Sequence, residues 1–309
     1  MNLRGIFYSL KPLIPRNIQI FLRQQFVPMK LKYHENKWPI DREANKHPES
    51  WPGWPDNKRF AFLLMHDVDH QRGHDNCLKL LEIEERAGFR SAFNFVPERY
   101  ALSGEIRNEI VKRGFEIGVH GLKHDGKLFS SRKIFEERAL KINQYLKDWK
   151  TDGFSSPAML HNLEWMPALN MKYATSTFDT DPFEPQPDGV GTIFPFWVPQ
   201  NAFPKGYLEV PYTLPQDFTL YIIMKERNIN IWKKKLDWIA ENGGMALVNT
   251  HPDYMNFSGG KPGREEYPVG YYAEFLEYVK NEYKNQYWHT SFSNMASFWS
   301  DEYLKNLKK

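Results

Sequence analysis

Cysteine is almost missing from this chain. Cys77 stands alone among 309 residues, which excludes an internal disulfide and suits a reducing compartment. Long apolar runs are missing too, since no stretch approaches the ~20 apolar residues of a membrane-spanning helix. A secretory h-region is not expected either, because Pro12, Pro15, Arg16 and Arg23 break the apolar runs of the N-terminal stretch. The chain is therefore expected in the cytoplasm or peripherally at the inner membrane face. Charge of one sign is lacking overall, at +3, so nucleic acid is not an expected partner. Only locally is acid scarce: residues 1–37 hold Arg4, Lys11, Arg16, Arg23, Lys30, Lys32 and Lys37 against Glu35 alone. Such a segment either wraps the domain, burying Ile18, Ile20, Phe21 and Phe26, or lies on an anionic membrane surface.

What is abundant is aromatic, 16 % of residues with ten tryptophans. Trp38, Trp51 and Trp54 fall in residues 33–58, an aperiodic Pro- and Trp-rich stretch that reads as an ordered linker. Its rings are expected to plug one end of the domain, because an exposed tryptophan cluster is a liability. From Phe60 the chain alternates. FAFLLMHD, SAFNFVP, FEIGVHG, GFSSPAM, KYATSTFD, MALVNTHP and YWHTSF predict strands. CLKLLEIEERAG, SGEIRNEIVKRG, SRKIFEERALKINQYLKDW, NIWKKKLDWIAENGG and YYAEFLEYVKNEY predict helices. In the third helix Ile134, Phe135, Leu140, Ile142 and Leu146 fall in helical register.

Such alternation argues for parallel strands with crossover helices and a site beyond their carboxyl ends. Residues 179–215 interrupt it with eight prolines. That is too many for core secondary structure and predicts an ordered insertion beside the site. Residues 1–58 then form an N-terminal extension and linker, and 59–309 a single α/β domain.

The unusual charged residues share one address. FAFLLMHDVDH ends in Asp67 and Asp69, which point to the same side of an extended chain. His120 and His124 follow a later strand, and His251 follows another. His-x-x-x-His spacing puts two imidazoles on one side of a helical turn. A carboxylate brings the set to three and leaves one position open, the catalytic pattern for a divalent metal. One aspartate would hold the metal while the other takes a proton from water. His70 and His74 repeat the spacing, but those side chains are expected to leave the site as the chain turns away.

In order, HDVD, HGLKH, SSP, FDTDPF and LVNTH resemble the five motifs of the polysaccharide deacetylases, carbohydrate esterase family 4, over about residues 59–255. The resemblance implies a distorted, incomplete (β/α) barrel of about seven strands. It also implies removal of an acetyl group from an N-acetylated sugar or glycan with a divalent metal, commonly Zn2+. Carried over, Asp67 is the catalytic base, and Asp69, His120 and His124 are metal ligands. His251 protonates the leaving amine, and Asp181, in preference to Asp179, orients His251.

Two departures stand out. Val68 separates aspartates that are usually adjacent in the family, and Ser155-Ser156-Pro157 lacks the family's arginine, which pairs with the base. No arginine occurs from 139 to 226, so Arg72, Arg99 or Arg264 is expected to substitute. Ser155, Pro157 and Trp197 are expected at the substrate, Trp197 within an aromatic wall of residues 194–203 and 209–218. Residues 251–268 form a lid or a rigid loop. The expected activity is amide hydrolysis on an amino-sugar precursor. The alternatives are a small amide, as in allantoinase-like relatives, and a degenerate glycan-binding module.

Overall fold

The computed structural model describes residues 14–200 and 205–303. Its strands are β1 (Phe60–Val68), β2 (Ala92–Phe95), β3 (Glu116–His120), β4 (Gly153–Ser155), β5 (Tyr173–Thr175), β6 (Phe196–Pro199), β7 (Gly206–Glu209), β8 (Met245–Thr250), β9 (Met255–Asn256), β10 (Tyr267–Pro268) and β11 (Tyr287–His289). Its α-helices are α1 (Arg16–Gln25), α2 (Val27–Tyr33), α3 (Gln71–Ala87), α4 (Gly104–Lys112), α5 (Arg132–Trp149), α6 (Asn230–Glu241), α7 (Gly270–Glu282) and α8 (Phe292–Phe298).

Nine of the strands form one sheet, ordered β11-β1-β2-β3-β4-β5-β7-β6, with β8 also paired to β1. β1 is its axis. β8 runs along one edge of β1 from Ala61 to His66. The opposite edge is shared, β11 taking Phe60–Phe62 and β2 taking Met65–Val68. All nine residues of β1 are buried, as expected of a parallel strand covered on both faces. The sheet curls until the chain after β7 meets β8 through one parallel bridge, Leu214 with Val248, while the bridge of Phe178 with Tyr212 extends the β5–β7 pairing. That seam makes the barrel distorted and incomplete.

Local sequence sets the crossovers. Gly88 ends α3 in a left-handed conformation at φ 88°. Ser103 and Ser131 cap α4 and α5 by accepting from the amides of Ile106 and Ile134. α5 buries Phe135, Ala139, Ile142 and Leu146, whereas Leu140, expected on that face, points outward.

Residues 179–215 are not wholly outside the core. Pro199 ends β6, while β7 is free of proline and pairs in parallel with β5. Proline count concealed a barrel stave. Trp51 and Trp54 do plug one end. The Trp54 indole donates to Gly243 O at 2.8 Å, just before β8 begins, and both rings pack on Phe194 and Phe298. Trp38 lies apart, against Phe183. In α1 only Ile20 is buried, while Ile18, Phe21 and the following Phe26 are exposed, against the expectation that all four pack inward.

Candidate active site

A cleft of about 790 Å3 lies over the carboxyl ends of the strands and is lined by Asp67, Asp69, His120, His124 and His251 together. β1 presents Asp67, and Asp69 follows directly with its side chain on the same side. His66, one residue earlier, turns the opposite way, where Glu84 of α3 lies 2.9 Å from Nε2 and Thr250 lies 2.7 Å from Nδ1.

Asp69, His120 and His124 each offer one ligand atom, and the three atoms lie within 4.8 Å of one another. Asp69 Oδ1 is 2.9 Å from His124 Nε2 and 3.4 Å from His120 Nε2. Asp69 Oδ1 meets the two imidazoles as ion-pair contacts only, and neither it nor His120 Nδ1 has a partner in hydrogen-bonding geometry, a costly state for buried polar atoms. One carboxylate and two imidazoles with an orphaned buried oxygen suit a divalent cation, so the residues fit the metal their motif implies. Burial pushes the Asp69 carboxyl up, but the imidazoles of His124 and His120 outweigh it and hold it well below its ordinary range. The His120–His124 spacing works differently from expected. His120 ends β3, Gly121 turns the chain at φ 59°, and His124 is left-handed at φ 52°, so a loop and not a helical turn brings the two rings together.

Asp67 is buried, and its carboxylate is held by two amides. Asn94 on β2 donates to Oδ1 at 2.9 Å, and Asn249 on β8 donates to Oδ2 at 2.8 Å. Among the described residues no arginine takes that place. Arg72 pairs with Glu266, and Arg99 donates to His124 O at 2.9 Å and contacts His70 Nδ1 at 3.2 Å. The two neighbouring strands of the barrel supply what the third motif lacks.

His251 is oriented by Asp217, not by Asp181. Its Nδ1 lies 2.7 Å from Asp217 Oδ1, and its backbone N–H donates to Asp217 Oδ2 at 2.8 Å. Tyr267 donates to the same Oδ2 at 3.0 Å. Burial pulls the His251 pKa down, but Asp217, with Asp69 and Asp67 behind it, pushes it up to about 10. Asp181 instead accepts from the Phe183 amide and from Tyr212, and Asp179 pairs with buried Lys235. Both aspartates are spent inside the fold.

Asp253 was also missed from sequence. Its carboxylate accepts from the amides of Asp69, His70 and Gly73 at 2.9, 2.9 and 3.2 Å. It thereby caps α3 and fixes the backbone of Asp69. Proximity to LVNTH was the only local sign of either acid: Asp253 follows His251 by two residues, whereas Asp217 is remote in sequence.

The expected substrate contacts divide. Pro157 lines the cleft. Ser155 is buried and donates to Thr175 O. Trp197 stands on β6, packed against the core and absent from the cleft lining. Phe194 lies in the tryptophan plug, and residues 201–203 of that proposed wall fall outside the described residues. The second stretch, 209–218, does reach the cleft through Gln216 and Phe218. Of the second histidine pair, His74 leaves the site and accepts from the Ser103 amide, while His70 lines the cleft. The N-terminal helix forms part of the wall, through Arg16, Gln19 and Arg23. The two guanidinium groups lie 5.1 and 5.2 Å from the Phe218 ring.

No family model matches the chain, and no curated protein does. Solved structures do. A protein from Mycobacterium smegmatis assigned as a polysaccharide deacetylase matches with a TM-score of 0.60 at 17 % identity, over 83 % of this chain and 93 % of that one. A probable polysaccharide deacetylase from Pseudomonas aeruginosa PAO1 matches with 0.60 at 17 %, over 85 % and 99 %. The PuuE allantoinase matches with 0.60 at 17 %, over 85 % and 98 %. In fold, the chain is similar to the polysaccharide deacetylases, as its ordered motifs implied, and also to an allantoinase.

Proposed function

We propose that the protein is a metal-dependent hydrolase that removes the N-acetyl group from an amino sugar or glycan precursor. The observation that carries this reading is the convergence on one rim of three groupings: Asp69 with His120 and His124, Asp67 between two asparagines, and His251 on Asp217. Asp69, His120 and His124 would hold a divalent cation, proposed as Zn2+, which would supply Lewis acidity and make a water there more acidic.

The chain's own residues do the rest. Asp67 accepts the proton of the attacking water at whichever oxygen exchanges its amide partner. Asp217 accepts from Nδ1 of His251, which keeps that ring charged and leaves Nε2 to deliver a proton to the departing nitrogen. Each proton-transfer role is worth roughly 10²–10⁴-fold.

Pro157 and Phe218 offer apolar surface for a sugar ring, and a cleft of about 790 Å3 is roomy for a small cyclic amide. The reading keeps the enzyme in the cytoplasm, in line with its single cysteine, and cell fractionation tests that part. The central test is metal content per chain together with acetate release from N-acetylated sugars, for wild type and His120→Ala. About one zinc and acetate release in wild type, both lost in the variant, are expected. Release of product from allantoin instead would move the substrate to the small amides. A wild type that takes up no metal would leave a binding module.

A further inference from the structure

α1 is amphipathic the wrong way round for a helix on a water-soluble domain. Apart from the buried Ile20, its inner face is polar. Arg16 donates to Glu265 at 3.1 Å, Arg23 to Phe183 O at 3.1 Å and Gln24 to Ile222 O at 2.9 Å. Its outer face carries Ile18, Phe21 and Leu22, and the apolar stripe continues through Phe26, Met29 and Tyr33 at the start of, along and at the end of α2. These six are most of the eight large apolar side chains that stand exposed among the described residues. Phe21 is 56 % exposed and Met29 61 %. A surface helix normally turns its apolar stripe to the core, and a contiguous exposed patch marks an interaction surface.

Charge decides what covers it. The first 34 residues contain six Lys/Arg and no Asp or Glu, in a chain whose acids and bases otherwise nearly balance. Lys32 of α2 and Lys37 just beyond it are exposed, with Glu35 the one acid between them. A protein partner would not require acid to be absent over so long a stretch, whereas an anionic lipid surface repels every carboxylate near it. Apolar side chains projecting from a short basic helix are the form in which helices lie in a headgroup layer.

We propose that the outward face of α1 and α2 docks on an anionic phospholipid bilayer, inserting Ile18, Phe21, Leu22, Phe26 and Met29 at the headgroup boundary. The opposite face of α1 walls the cleft, so docking brings the cleft to about one helix diameter, ~10 Å, from the lipid. If the deacetylase reading holds, the sugar reached there is one carried on a lipid.

The test is sedimentation of the full-length protein with vesicles of phosphatidylcholine alone and of phosphatidylcholine with an equal part of phosphatidylglycerol. Wild type should sediment with the anionic vesicles and stay in solution over the neutral ones, less so as salt is raised. The double variant Phe21→Glu/Leu22→Glu should lose at least roughly tenfold in partitioning, about 1.4 kcal/mol, with unchanged melting. Lys32→Glu/Lys37→Glu should weaken binding while leaving the apolar stripe intact. A wild type indifferent to both vesicles overturns the proposal, as do variants that bind like wild type. Self-association of wild type that the Phe21/Leu22 variant abolishes, without vesicle binding, assigns the stripe to a second copy. Sedimentation reads lipid alone, so a protein that binds vesicles but releases no acetate leaves this inference standing and removes the other.

Discussion

Asp217 holds His251 twice, through Nδ1 at 2.7 Å and through the backbone N–H at 2.8 Å. One carboxylate thus sets both the charge of the ring and its position. The shift to about 10 means the imidazole stays protonated through the neutral range in the folded protein.

Asp217→Asn should therefore lower kcat/KM by roughly 10²–10⁴-fold and bring the alkaline limb of the pH–rate profile down toward ~6.5. Asp181→Asn should leave that limb in place. Stability gives an independent reading. A histidine whose pKa is raised on folding contributes fully below ~6.5 and loses that contribution as pH rises through about 10. The melting difference between wild type and Asp217→Asn should accordingly be widest in acid and shrink above about 10, as thermal melts across pH would show.

The two amides on Asp67 predict a matched pair of effects. Asn94→Ala and Asn249→Ala each strip one carboxylate oxygen of its donor, at a cost of ~1–3 kcal/mol for a buried group left unpaired. Both should cut kcat more than they raise KM. Gly118→Ala should imitate Asn94→Ala, because a Cβ at 118 would run into Asn94 Oδ1. Steady-state kinetics on the three variants would check this; a silent Gly118→Ala would show that the amide is not held where it matters.

Gly73→Ala acts on the cation site from a distance. A Cβ there would strike the carboxylate of Asp253, whose hydrogen bonds fix the backbone at Asp69. Zinc affinity should fall by about tenfold, the lower end for loss of a supporting partner. Competition with a chromophoric chelator measures it.

On the other face of β1, His66, Glu84, Ser91, Thr250 and Tyr272 form one buried network. Removing Glu84 breaks it from the centre, so Glu84→Ala should cost ~3–5 kcal/mol. Metal content should hardly change. Chemical denaturation and elemental analysis on the same preparation would separate the two roles.

The strands and crossover helices were legible because apolar runs and helical periods are local signals. So was the rim, since Asp67, Asp69, His120 and His251 each follow such a run. What escaped was set by distance. Asp217 reaches His251 across 34 residues of sequence, and Asn94 and Asn249 reach Asp67 only because β2 and β8 flank β1. β7 was hidden by prolines that border it without entering it. Trp197 was misplaced because a ring that stacks on sugar and a ring that packs a core carry the same letter. The spacing of His120 and His124 is one that a loop satisfies as well as a helix.

The alternation of β1 restricts how this rim can change over evolutionary time. Odd-numbered positions 67 and 69 serve the cleft and even-numbered 66 serves the buried network, so deleting one residue between Phe60 and His66 would exchange their surroundings. Two carboxylates would enter a packed layer and an imidazole would take their place at the rim. A one-residue change of length before His66 is expected to disrupt the rim more than a change of two. The lone Val68 between the aspartates is what keeps both on the same beat.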